Sequence, residues 1–350
     1  MDFGFTVEFN QDPGVNPSTA YEEAFAQVDI AEEMGLDEVW IAEHHSQDGF
    51  GPTAPLITAA AIATRTKRLR VGTAILILPL GHPLRFAEEI STIDQISHGR
   101  FDLGIGRSTL PRDILPYNLA IGESRPRLLE YLEIMKMAWT SETFSFQGQF
   151  YSFDNVRLEP KPYQKPHPPI RIAASTPDTY ELVGRLGYPI FLGIRTLPIG
   201  MVAEHAKIYK NAWSKAGHKG APDMILRLPI YVAASKQTAL STTKDSMLRI
   251  YHQLGSENLE SAKHLDADAK EERMRRGHEL LNTTWEQAQR ERVVVGTPEM
   301  VTERIKELAE IFGIDRFILE FNAGVGGGYT GQIIENSMRL FCSRVLPAFR

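Results

Sequence analysis

The 350-residue chain has one cysteine, Cys342. That excludes an internal disulfide framework and suits a reducing compartment. Long apolar runs are missing too: no stretch approaches the ~18 residues of a membrane-spanning helix. There is no basic excess. The formal net charge is −6, which argues against a broad cationic face for nucleic acid. The opening Met1-Asp2-Phe3 has neither the basic start nor the apolar core of a secretory signal, so the expected location is the cytoplasm. His-x-x-x-His and cysteine spacings are missing, so no metal site is expected. A Gly-x-Gly-x-x-Gly fingerprint fails at its last position, because residue 109 is Thr. With 43% apolar and 23% charged residues, the chain can bury a core of ordinary globular size unaided.

What is present centres on residues 38–45. Val39, Trp40, Ile41 and Ala42 run straight into Glu43, His44 and His45. A short apolar run with polar borders reads as a buried strand. In barrels and open α/β sheets, the carboxyl ends of such strands carry the chemistry.

The rest of the chain repeats strand, loop and helix. Strands are expected at 3–9, 38–42, 69–77, 101–105, 170–174, 190–193, 224–233 and 316–321. Helices are expected at 20–34 (capped by Ser18 or Thr19), 53–64, 83–96, 125–139, 178–187, 198–216, 299–312 and 331–346. Short connections favour right-handed βαβ units on a parallel sheet. Eight strands in a chain of this length predict a single (β/α)8 TIM barrel spanning 1–350, with a doubly wound sheet as the alternative. Two segments break the rhythm. Residues 140–169 are rich in phenylalanine and proline and read as a hairpin with an extended lead-in. Residues 235–292 are helical and highly charged. They form either a solvated pair of helices outside the barrel or a lid over the strand ends.

Several side chains could carry chemistry. A histidine beside a carboxylate can move protons near neutral pH. Neighbouring residues on an extended chain point opposite ways, so only one of His44 and His45 is expected to face the mouth. His82, after the third strand, either joins that mouth or belongs to a plain turn. Gly104-Ile105-Gly106-Arg107 lets a ligand approach the backbone and supplies a cation for phosphate. Arg125, at a helix start, is a second cation or an exposed terminal residue. Residues 175–179 place hydroxyls and free amides at a helix N-terminus, which suits an anion or an ordinary cap. The glycine-rich loop 324–329, after the last strand, competes as a phosphate loop.

These stretches, in order, resemble the bacterial luciferase-like flavin-dependent monooxygenases. The resemblance rests on Ala42-Glu43-His44-His45, Val71-Gly72-Thr73-Ala74, Leu78-Pro79-Leu80-Gly81-His82-Pro83, Asp94 through Phe101, Gly104 through Arg107, Ser124-Arg125, 175–179 before Gly187-Tyr188-Pro189, and Val295-Gly296-Thr297-Pro298. It implies a (β/α)8 barrel that binds reduced FMN or, in one branch, coenzyme F420. Arg107, Arg125, Ser175, Thr176 and Thr179 would hold the flavin phosphate. Ala74 and Ile75 would pack on the isoalloxazine ring, at a junction that is often a non-prolyl cis peptide.

The implied reaction uses FMNH2 from a separate reductase and O2, through a C4a-peroxyflavin, to oxygenate a small aldehyde- or ketone-like substrate. His44 would move protons and Glu43 would orient it. The luciferase α subunit has a reactive cysteine where this chain has Gly106, which implies more room beside the ring. The family pairs its second and third helices across a dimer, so a homodimer is expected. Two rivals are kept: an F420-dependent oxidoreductase that transfers hydride, and a non-catalytic flavin-binding protein.

Overall fold

The computed structural model describes residues 1–7, 9, 14–46, 51–108, 110–265, 267–321 and 331–350, the side chains of 267–269 excepted. In chain order the strands are β1 (Asp2–Thr6), β2 (Glu38–Ile41), β3 (Arg70–Thr73), β4 (Leu76–Ile77), β5 (Phe101–Gly106), β6 (Phe144–Gln147), β7 (Ser152–Val156), β8 (Ile170–Ala173), β9 (Ile190–Gly193), β10 (Met224–Val232), β11 (Val294–Gly296) and β12 (Arg316–Glu320). The helices are α1 (Pro17–Met34), α2 (Pro55–Arg65), α3 (Pro83–Ile96), α4 (Pro111–Ile114), α5 (Ser124–Thr140), α6 (Pro177–Leu186), α7 (Ile199–Lys215), α8 (Lys236–Ala262), α9 (Ala267–Leu281), α10 (Trp285–Glu291), α11 (Pro298–Phe312) and α12 (Gly331–Arg344).

Eight strands pair in parallel in the order β1-β2-β3-β5-β8-β9-β10-β12, and β12 pairs back onto β1. Sequence neighbours are sheet neighbours throughout. A doubly wound sheet would reverse its order and leave two edges; here the ring closes, so the fold is a (β/α)8 barrel. The antiparallel hairpin β6-β7 occupies the irregular segment before β8.

Local chemistry adjusts several expected boundaries. Helix α1 starts at Pro17, because Asn16 rather than Ser18 or Thr19 is the cap; its Oδ1 accepts from Ser18 N at 2.9 Å. Proline at the first helical position gives up no bond there. The expected third strand, 69–77, is interrupted. It stops at Thr73 and resumes at Leu76, with a cis peptide at Ala74–Ile75, the junction the resemblance singled out. An unexpected short strand, β11, adds to β10 outside the ring.

Side chains pack across the barrel interior. Trp40 lies across the interior with Phe191, Ile225 and Ile318. Gly72 makes room for it: a Cβ there would lie 2.4 Å from the indole Cζ3. The amino-terminal end of the barrel carries ion pairs around a cavity that reaches Trp40. Arg316 meets Glu38 at 2.5 Å and Asp223 at 3.1 Å, Arg171 meets Asp223 at 2.5 Å, and Arg70 meets Asp102 at 2.6 Å. The other end is the mouth.

Candidate active site

The mouth begins where β2 ends. Glu43 and His45 are two residues apart, so they share a face of the extended chain. Glu43 Oε1 lies 2.8 Å from His45 Nε2. Glu43 Oε2 accepts from Ile77 N at 2.5 Å, tying β2 to the resumed third strand. His45 Nδ1 lies 3.0 Å from the Tyr117 hydroxyl, and its backbone N donates to Asp113 Oδ1 at 3.4 Å. Glu43 and His45 are 8% and 7% exposed. Burial pushes the Glu43 carboxyl above the usual carboxylate range, although His45 and Ile77 both bond it.

This geometry corrects one expectation. The Glu43 carboxylate engages His45 and Ile77, not His44. His45 is a braced link between β2 and the loop that follows β5, and His44 is the histidine left to the mouth. Glu43→Gln is expected to lower the free energy of unfolding by about 1–3 kcal/mol, the cost of weakening a buried bond to a charged group. Urea denaturation at pH 7 measures it; an unchanged midpoint with an unchanged slope would contradict the bracing role.

His44 is half-buried, with its backbone N on Pro52 O at 3.1 Å. Burial, then the guanidiniums of Arg112, Arg227 and Arg195, pull its pKa down to about 4. It is therefore a neutral imidazole at physiological pH, able to accept a proton on one nitrogen and donate from the other.

The sequence reading missed the cluster beneath it. Arg227, inside β10, donates to Glu320 Oε1 at 2.6 Å and to the Ala74 carbonyl at 3.3 Å. Arg195, just past β9, lies 2.9 Å from Glu320 Oε2. Burial alone would raise the Glu320 carboxyl, but the two guanidiniums outweigh it and hold it below the usual range. A signal was available: Arg227 interrupts the apolar run of β10, and Glu320 closes the apolar run Phe317–Leu319 of β12.

From Ala74 the floor runs on to a cluster of guanidiniums and hydroxyls. Ile75 lies against Gly106, where a Cβ would sit 2.0 Å from Ile75 Cδ1. Gly106 therefore does not leave spare room; the Ile75 side chain takes it. Arg107 Nη1 donates to Ser124 Oγ at 3.0 Å. Arg125 Nη2 donates to Asp178 Oδ2 at 2.6 Å and to Thr179 Oγ1 at 3.1 Å. Thr176 Oγ1 lies 2.9 Å from Thr179 Oγ1 at the start of α6. A cavity touches Gly106, Arg107, Arg125, Ile172, Ala173 and Thr179. Burial, then neighbouring Arg125, lowers the Arg107 pKa, as an incompletely balanced cation requires.

Of the expected residues, Arg107, Arg125, Thr176 and Thr179 gather here, with Ser175 at the edge. His82 does not join the mouth. It is exposed and packs edge-on against Tyr151 and Phe153. Loop 324–329 lies outside the described residues.

The charged insertion is α8, α9 and α10. It touches two connections that leave the carboxyl ends of barrel strands. Glu257 of α8 pairs with Arg112 of α4 at 2.5 Å, and Arg276 of α9 donates to the Ser175 carbonyl at 2.7 Å.

A half-buried cationic cluster, an apolar shelf and a neutral histidine at one barrel mouth suit a phosphate-bearing aromatic cofactor. Comparison with known proteins gives the family. Residues 1–316 match the family model of luciferase-like monooxygenases. The oxygenase component of the flavin-dependent trigonelline monooxygenase of Acinetobacter baylyi is 26% identical over 94% of this chain and 90% of its own length. The crystal structure of monooxygenase RslO1 from Streptomyces bottropensis superposes with a TM-score of 0.79, with 28% identity and full coverage of both chains. The oxygenating constituent of 3,6-diketocamphane monooxygenase from Pseudomonas putida, solved in complex with FMN, shares the fold at a TM-score of 0.79, with 22% identity over 99% of this chain and 98% of that one. The chain belongs to the luciferase-like monooxygenase family, and it is a flavin-dependent monooxygenase.

Proposed function

We propose that this chain is the oxygenase of a two-component system. It uses FMNH2 made by a separate reductase and places one oxygen atom from O2 into a small aldehyde- or ketone-like substrate. The observation that carries the reading is the continuous floor from His44 through Arg227, Ala74, Ile75 and Gly106 to Arg107. It offers a proton-moving group at one end and a phosphate cradle at the other. Support for the reductase comes from the Acinetobacter relative, which is named as an oxygenase component.

Reduced FMN, when bound, would supply the activation of O2. The chain's own residues do the rest. Arg107, Arg125, Ser175, Thr176 and Thr179 bind the phosphate. Ala74 and Ile75 support the ring. His44, held neutral, takes or returns a proton near the reacting oxygen, while Glu43 and His45 fix the backbone that presents it. The insertion keeps water from the mouth.

A reconstituted assay with a generic NADH:FMN reductase, ¹⁸O2 and a panel of aldehydes and ketones tests this. One labelled oxygen per product molecule is expected. Peroxide alone across the panel, or activity only with reduced F420, would contradict it.

We also infer a homodimer through α2 and α3. Ile57 of α2 is 75% exposed, and Ile96 closes α3 on the surface. The exposed face of α2 joins Ile57 to the small side chains of Ala61 and Thr64, which lets a partner helix approach closely. Light scattering should give twice the 39.3 kDa chain mass, and Ile57→Asp should shift it to the single-chain value. A wild-type protein at 39.3 kDa would overturn the inference.

A further inference from the structure

Inward side chains fill a barrel of this kind in layers. Ile225 of β10 and Ile318 of β12 pack with Trp40 and Phe191 in one apolar layer. Two residues further along each strand, on the same face, stand Arg227 and Glu320. An ion pair thus takes the place that branched apolar residues usually fill in the layer below the mouth. A buried ion pair seldom stabilises a fold more than apolar packing would, so this pair calls for another reason.

Arg227 reaches far. In the ring of eight, β3 is the third strand and β10 the seventh, so the two face each other across the barrel. Arg227 Nη1 nevertheless donates to the carbonyl of Ala74, the residue after β3, at 3.3 Å. The side chain therefore spans the barrel beneath the mouth. Nη2 donates to Glu320 Oε1 at 2.6 Å, and Nε is buried with no hydrogen-bond partner among the described residues. The two members of the pair are not equally open. The Arg227 side chain is 28% exposed and that of Glu320 3%. Among the described residues, the mouth meets the cation of this pair and not the carboxylate.

We propose that Arg227 selects the redox state of the flavin: its guanidinium, held beside the ring shelf at Ala74, favours the reduced ring over the oxidised one. Oxidised isoalloxazine is uncharged, whereas reduced isoalloxazine is in large part an N1 anion at neutral pH. A fixed cation stabilises that anion and does little for the neutral ring. Glu320 is the positioning residue, holding the guanidinium in its span across the barrel through Nη2. The inference rests on the FMN reading above and deepens it, because an oxygenase fed by a separate reductase has to take up reduced flavin and release oxidised flavin. The phosphate is common to both forms, so the preference has to come from the ring.

The test measures two affinities on the full chain, oxidised FMN by fluorescence and FMNH2 by anaerobic titration. It adds the N1 pKa of the bound reduced flavin, read from its absorbance as pH is varied. In the wild type, FMNH2 should bind about tenfold tighter than FMN or better, and the bound N1 pKa should fall about one unit below that of free FMNH2. Arg227→Gln should weaken FMNH2 about tenfold, leave oxidised FMN unchanged and return the N1 pKa to its free value. Arg227→Lys keeps the charge and should keep much of the preference. A wild-type N1 pKa at or above the free value overturns the proposal; that measurement needs no variant, so it stands even if Arg227→Gln does not fold. Equal losses for FMN and FMNH2 in Arg227→Gln overturn it as well, since they would make the arginine a prop for the shelf. An unchanged preference in that variant does the same. If the wild type binds neither form, the FMN reading itself falls. Tight binding of both forms without preference overturns only the role of Arg227.

Discussion

Replacing His44 with alanine is expected to cut oxygenation turnover about 10²- to 10⁴-fold, the range for loss of a positioned acid-base group. FMN affinity should hold, because the phosphate cradle lies at the far end of the floor. Stopped-flow turnover with a saturating aldehyde measures the first, and flavin titration the second. Wild-type turnover in His44→Ala would remove the histidine from the chemistry.

The pH behaviour separates this role from packing. Burial and the guanidiniums of Arg112, Arg227 and Arg195 hold His44 near a pKa of about 4, so a step that needs the neutral ring keeps its rate well below pH 6. Arg112→Leu removes one of those cations and also frees Glu257. Both changes favour the protonated ring, so the acid limb of the turnover profile should move up in pH. Stability follows with a definite sign. The unfolded histidine binds a proton near pH 6.5 and the folded one near 4. Between these values the unfolded chain holds more protons, so stability falls with falling pH by up to about 1.4 kcal/mol per unit. His44→Ala should flatten that slope.

Arg107→Ala is expected to raise the dissociation constant for FMN about a hundredfold and leave riboflavin nearly unaffected. Arg107 donates to Ser124, and burial holds it beside Arg125, so its guanidinium is fixed before any ligand arrives. A charge-assisted bond from a pre-placed group is worth about 1.5–3 kcal/mol. Arg107→Lys should fall in between, since lysine keeps the charge and loses the fork. Parallel losses for FMN and riboflavin would mean that Arg107 supports the ring or the fold instead.

The barrel was legible because each strand is a short apolar run ended by a turn and followed by a helix with its own periodicity. Helix α3 shows this most plainly, running from Pro83 to Ile96 as expected. The cluster that we propose for phosphate was legible as a cluster because Arg107, Arg125 and the hydroxyls of 175–179 sit at strand ends and helix starts, where anions bind. What escaped depends on closure of the ring. Arg227 and Glu320 are far apart in the chain and meet only because β10 and β12 are neighbours. The partner of Glu43 was misassigned to the adjacent residue, although a spacing of two already puts Glu43 and His45 on one face. Arg276 hid in a charged run. Its helical spacing from Leu280, which is buried, was the available sign that this face of α9 points inward. Gly106 looked like open space, because nothing local shows that Ile75 fills it.

The central claim is that the mouth holds reduced FMN and governs its encounter with O2. The most direct measurement is an anaerobic titration with FMNH2, followed by rapid mixing with oxygenated buffer while flavin absorbance is recorded. Saturable binding, with reoxidation of the bound flavin in distinct phases and slower than in free solution, is the predicted result. No saturation, with reoxidation at the rate of free FMNH2, would contradict it.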